Sequence, residues 1–186
     1  MAVFSKVTLA SNALILLGDE PIASFTEEGA GAKVASNLYE TSYLSMLASH
    51  RWNFATKKAT LSQLAEAPRN EFAYKYKLPT DMVMLITTYP VSTYRILGDE
   101  LHTDSNSVDI DYIWRISEDK FPSYFVKAFE FYLAQQFCIP ITEDLNKTEV
   151  MKRFYEQESR RARYADSQSQ PAVPIQDDPY IRARVF

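Results

Sequence analysis

Apolar residues recur at helical spacing near both ends of the chain and alternate at strand spacing through its middle. From Ser5 to Leu17 they fall at Val7, Leu9–Ala10, Ala13–Leu14 and Leu16–Leu17, with Ser5 placed to cap this first helix and Gly18 to stop it. Asp19-Glu20-Pro21 turns the chain, and Ile22 and Phe25 are placed to fold back onto the helix. A second helix is predicted from Ala30 to Ser49, with Val34, Leu38, Leu44–Met46 and Leu47–Ala48 on its apolar face and Tyr39 and Tyr43 flanking it. Glu27 and Glu28 precede its first turn, where the helix dipole favours negative charge. Two helices joined by so short a turn are expected to pack antiparallel.

The pattern then changes. Trp52 to Leu61 is mixed, an irregular or strand-like connection with Trp52, Phe54 and Leu61 as its apolar points. Phe72 to Leu78 alternates, with Phe72, Tyr74, Tyr76 and Leu78 on one face and Lys75 and Lys77 on the other, which predicts a half-buried strand. Asp81 is placed to cap a short helix running through Thr88. Tyr94–Leu97 and Glu100–Thr103 read as a hairpin about Gly98-Asp99, and Val108 to Ile116 alternates again. A small antiparallel sheet is therefore expected in the middle third.

A third helix, apolar nearly all round, is predicted from Ser123 to Ile139 and ended by Pro140. A fourth covers Glu143 to Ala165, with Met151, Phe154–Tyr155, Ala162 and Ala165 facing inward. Beyond Asp166 the chain turns polar and proline-rich, then ends on Tyr180, Ile181, Val185 and Phe186, the composition of an extended arm laid on a partner. The expected class is α+β: a bundle of about four helices (residues 1–50 and 120–166), an inserted β-rich unit (51–119) and an extended C-terminal arm (167–186).

With 186 residues there is room for one ordinary core plus a small insertion. The net charge of −4 argues against a protein that wraps nucleic acid by neutralising phosphates, yet a mildly acidic wall suits a conduit past which DNA slides. Cys138 is the single cysteine and sits in an apolar run, a small buried hydrophobe that allows no internal disulfide. The first residues lack the pattern of a secretion signal, and no run of apolar residues is long enough to span a membrane, so synthesis and assembly in the cytoplasm are expected.

Candidate chemistry is sparse. Glu28-Gly29-Ala30-Gly31-Ala32-Lys33 lacks the Gly-Lys-Ser/Thr of a phosphate-binding loop and reads as a lead into the second helix. Asp109 and Asp111 share one strand face with Glu118-Asp119 shortly after, the raw material for a cation site or for acid–base cleavage of glycans. Alternation, however, puts both aspartates opposite the apolar face, where solvated charge is ordinary. His50 and His102 have no partner at metal-ligand spacing. No catalytic constellation stands out, no cofactor or metal is called for, and a non-enzymatic protein is expected.

Several stretches in order resemble one family. Asn12-Ala13-Leu14-Ile15-Leu16-Leu17-Gly18 with Pro21-Ile22-Ala23-Ser24-Phe25 is similar to its opening helix and turn. Ser49-His50-Arg51-Trp52-Asn53-Phe54-Ala55 is close to its His-Pro-Trp-Asn-Phe-Ala, with Arg51 standing where proline is usual. Tyr76-Lys77-Leu78-Pro79-Thr80-Asp81 matches its Tyr-x-Leu-Pro-x-Asp, followed here by an unusual Met82-Val83-Met84. Pro140-Ile141-Thr142 and Ala162-Arg163-Tyr164-Ala165-Asp166-Ser167-Gln168 resemble the start and end of its last long helix. The family is tail tubular protein A, the gatekeeper of short-tailed phages, and the likeness covers nearly all of the chain.

That resemblance implies a head–tail adaptor in the virion, a ring (usually a dodecamer) docked under the portal protein and presenting a surface to the tail nozzle protein. DNA would pass through without sequence-specific binding, and no membrane is involved. On this reading Pro179, Tyr180, Ile181, Arg182, Arg184, Val185 and Phe186 are the portal-binding arm, and Arg95, Glu100, Asp109 and Asp111 face the nozzle or channel. Trp52, Phe54, Tyr76 and Leu78 are expected to be core residues holding the sheet unit against the helices. The alternative is a virion-associated glycan hydrolase built on the acids between Asp99 and Asp119.

Overall fold

The computed structural model describes residues 4–66, 68–69 and 71–169. Within them the chain forms helix α1 (Lys6–Leu16), helix α2 (Ala30–Ala48), strands β1 (Thr56–Thr60), β2 (Ser62–Gln63), β3 (Tyr74–Lys77), β4 (Met82–Tyr89), β5 (Tyr94–Leu97), β6 (Glu100–Thr103) and β7 (Asp109–Trp114), then helices α3 (Ser123–Thr142) and α4 (Leu145–Ser167). The α+β class is that expected. The strands form two antiparallel sheets rather than one, ordered β1-β7-β4 and β2-β3-β6-β5.

Local signals at the helix ends act as read. Ser5 accepts a hydrogen bond from the Thr8 N–H at 3.1 Å, and Gly18 adopts a left-handed φ of 77° just beyond the end of α1. At Gly31 the need is space: a Cβ there would lie 3.2 Å from Leu14 Cδ1 and 2.8 Å from Asp19 Oδ2, so glycine lets α2 approach α1 closely. Helix α3 is the centre of the bundle, packed by α1, α2 and α4. Its Phe125, Phe129, Leu133 and Phe137 are fully buried.

Four expectations are corrected. Residues 82–89 form strand β4, not a helix: Val83, Ile86, Thr87 and Thr88 are β-branched, and the Asp81 carboxylate is taken by Lys57 Nζ (2.8 Å) and Tyr112 Oη (3.2 Å) instead of by helical N–H groups. Pro140 does not end α3, which continues to Thr142; Glu143, at a left-handed φ of 53°, ends it. A proline one turn from the end forfeits a single helical hydrogen bond and can be carried there. Helix α4 starts at Leu145, capped by Asp144, and reaches Ser167, two residues past the expected Ala165. Phe154 is 45% exposed and is not on its inner stripe, which consists of Met151, Ser159, Ala162 and Asp166.

Two cores result. The larger unites the four helices with Trp52, Ile113 and Ile116. The smaller lies between the sheets and contains Leu61, Tyr76, Leu78, Leu101, Val108, Ile110 and Tyr112. Tyr76 and Leu78 therefore hold sheet to sheet, whereas Trp52 and Phe54 belong to the helical core. The sheet β1-β7-β4 is shared: Val83, Met84 and Ile86 of β4 pack on the helical core, while Met82 and Leu85 pack on the other. Helices, three-stranded sheet and four-stranded sheet thus stack as three layers.

Candidate functional site

Arg95 and Glu100 lie on β5 and β6 and open into a groove of about 410 Å³ on the four-stranded sheet. The groove is charge-balanced from within. Lys75 Nζ lies 3.0 Å from Glu66 Oε2 and 3.5 Å from Glu100 Oε1, His102 Nε2 lies 3.1 Å from Glu100 Oε2, and Arg95 Nη1 donates to Glu71 Oε2 at 3.0 Å. The bond shared with His102, helped by Lys75, holds the Glu100 carboxyl below its ordinary range.

Asp109 and Asp111 sit elsewhere, on β7 of the other sheet, beside a groove of about 490 Å³ that also takes in Lys58, Thr60 and Tyr89. Asp109 accepts from the Thr60 hydroxyl, and Asp111 pairs with Lys58 at 3.5 Å. They share a strand face with Ile113, which the helices cover; the face emerges from under them toward Asp109. The four residues read together from the sequence are therefore two pairs on two sheets.

Three more of the acids between Asp99 and Asp119 are paired with neighbouring bases: Asp99 with Lys77, Glu100 with His102 and Lys75, and Glu118 with Arg115. Glycan hydrolysis needs one carboxyl kept protonated near neutrality by an upward shift. Asp99 is shifted down by its hydrogen bond to Lys77, and Glu100 down by His102. Glu118 is buried and bonded to Arg115. Among the described residues, no group of three or more His, Cys, Asp or Glu side chains is placed to hold a metal ion. No helix there is long and apolar enough to cross a membrane.

Two polar clusters escaped the sequence reading. Arg115 donates to Glu40 (2.8 and 3.0 Å), Glu118 (2.8 Å) and the Ile116 carbonyl (2.8 Å), and its guanidinium stacks 4.5 Å over Tyr43. The buried Asp166 carboxylate accepts from the Asn53 N–H (2.8 Å) and the Tyr124 hydroxyl (2.9 Å), tying the end of α4 to the connection before β1. The usable signals were slight: a charge just past an alternating strand, and one acid in an arginine-rich helix end.

Exposed apolar side chains are scattered over the described surface, Ile15, Leu44 and Tyr89 among them, and they gather on two separate elements. On the α3–α4 pair, Ile139, Val150 and Phe154 are 50%, 44% and 45% exposed, and Phe154 stacks on Phe131 at 5.3 Å. On the four-stranded sheet, β5 is an edge strand exposed at every residue, with Tyr94, Ile96 and Leu97 open and Val91 just before it. The arm residues Pro179 to Phe186 lie outside the described residues. No protein-family model matches the chain, and a search of curated proteins finds none significantly similar to it.

Proposed function

We propose that this chain is a structural head–tail adaptor of the tail tubular protein A type, a ring subunit between portal and tail nozzle that leaves a channel for DNA. The observation that carries the reading is the pair of unlike apolar surfaces, one on α3–α4 and one on the β5 edge. Unlike surfaces on one subunit favour heterologous contacts, which close into rings, and a tail nozzle would supply a further apolar partner. The ordered set of family-like motifs, from Asn12-Ala13-Leu14 to Ala162-Arg163-Tyr164, supports the same reading. The helical unit would build the ring wall, the β-rich unit (51–119) would project toward the nozzle, and a net charge of −4 would let DNA pass without sticking.

The arm is assigned to the portal. About twenty residues, if laid out extended on a partner, would span on the order of 60 Å. Tyr180, Ile181, Val185 and Phe186 would fill apolar pockets, and Arg182 and Arg184 would pair with carboxylates. Many weak arms in one ring add through multivalency. Deleting residues 177–186 is expected to leave the thermal midpoint unchanged and to abolish docking on purified portal rings from the same phage, measured by co-sedimentation. Docking at undiminished affinity would remove the arm from this role.

A second expectation concerns β7. Replacing Asp109 and Asp111 together with Asn should preserve the fold by circular dichroism while weakening attachment of the nozzle or slowing DNA passage. Tail assembly counted by negative-stain microscopy checks this. Cleavage of soluble glycan by the parent chain, lost in the double variant, would instead establish the hydrolase.

A further inference from the structure

We propose that Arg160 and Arg163 of α4 receive the acidic α1–α2 turn of a second copy of this chain, head to tail. The proposal rests on the ring reading and names the contact that would close the ring.

Between residues 19 and 28 the chain carries Asp19, Glu20, Glu27 and Glu28 and no lysine or arginine. Glu20, Glu27 and Glu28 are exposed, and the turn folds around a cleft of about 240 Å³. The local bonds are to backbone only: Glu27 accepts from the Ala23 N–H and Asp19 from the Glu20 N–H, each at 2.9 Å. Among the described residues none of the four carboxylates has a basic partner.

Helix α4 shows the opposite sign. From 152 to 163 it holds five basic residues against two acidic ones. Lys152 and Arg153 share Glu149, and Arg161 pairs with Glu158 at 2.7 Å. Arg160 and Arg163 are exposed and, among the described residues, pair with no carboxylate; Arg160 Nε donates only to the Glu156 carbonyl at 3.2 Å. Both border a notch of about 220 Å³ that Tyr155, Glu156 and Ser159 also line, the two arginines outnumbering the one acid.

Within one chain the two patches cannot meet. Lys147, in the first turn of α4, donates to the Leu17 carbonyl and so pins the acidic turn beside the start of that helix. Arg163 lies sixteen residues further on, about 24 Å at the helical rise. That is more than two screening lengths at physiological salt, so the attraction goes unused in the isolated subunit. Between copies it is used: the acidic α1–α2 turn of one copy meets the arginine end of the next copy's α4, with the exposed Pro21 of the turn at the notch. Unlike ends in contact give the heterologous geometry that a ring needs.

The test is charge reversal on the full chain, with E27K/E28K as one variant and R160E/R163E as the other. All four positions are exposed, so thermal midpoints should stay at the parent value; a variant that melts early is replaced by E28K or R163E alone. Sedimentation velocity across micromolar to millimolar protein is expected to show each variant associating roughly tenfold more weakly than the parent, about 1.4 kcal/mol. Combining all four substitutions in one chain should restore association, and mixing the two variants should restore pairs. Association unchanged in each single-patch variant overturns this contact while leaving the ring reading standing. A parent chain that stays monomeric at millimolar concentration and on portal rings overturns both. Loss of DNA binding in R160E/R163E with self-association intact would assign the arginines to nucleic acid instead.

Discussion

Arg115→Ala is expected to lower the free energy of unfolding by about 3 kcal/mol, the cost of breaking a partly buried ion-pair cluster on one side only. The side chain is 24% exposed and satisfies Glu40, Glu118 and the Ile116 carbonyl at once, while covering the Tyr43 ring. Removing it leaves the Glu118 carboxylate, whose side chain is 8% exposed, without its charged partner and with the long 3.4 Å bond from the Tyr39 hydroxyl. Arg115→Lys keeps the charge but not the fork that grips Glu40 with two bonds, so it should fall between parent and alanine. The acid limb of stability carries a second signature. The hydrogen bond from Arg115 holds the Glu40 carboxyl below its ordinary 4.5. A depressed folded value stabilises fully above the unfolded one and is lost as pH falls through the folded one. Urea midpoints from pH 7 down to pH 3 should therefore fall less steeply in the alanine variant than in the parent.

Trp52→Ala should cost more, about 4 kcal/mol. The indole is fully buried, donates to the Met46 carbonyl at 3.1 Å, and meets Phe125 edge-on at 5.1 Å and Phe54 at 5.9 Å. A typical domain has only about 5–15 kcal/mol to lose. Trp52→Phe retains most of the packing and forfeits the hydrogen bond, so it should sit well above the alanine variant. Denaturant melts followed by near-ultraviolet circular dichroism would read both. A cost under about 1 kcal/mol for alanine would contradict the burial seen here.

The sequence made the local decisions legible and left the non-local ones obscure. Ser5 and Gly18 act within a few residues of themselves, so the bounds of α1 could be read directly. Asp81 looked like a helix cap because its carboxylate had no visible partner; Lys57 and Tyr112, which claim it, come from β1 and β7. One sheet became two for the same reason. β1 pairs with β7 across some fifty residues, and no hairpin signal announces that ladder. The candidate surface fared similarly. The exposed Asp109 and the β5–β6 hairpin were found by alternation and turn chemistry. Their assignment to separate sheets depended on pairings that alternation cannot express. Arg115 and Asp166 matter through partners 75 and 113 positions away.

The sharing of the strand β7 between both cores bears on how force would travel. Ile113 packs among the helices while Ile110 and Tyr112, its neighbours on the same strand, pack between the sheets. Load on the sheets would therefore reach the helices partly through β7, whose side chains both cores grip. The subunit then behaves as a stiff strut, and its most slowly exchanging amides should lie along β7.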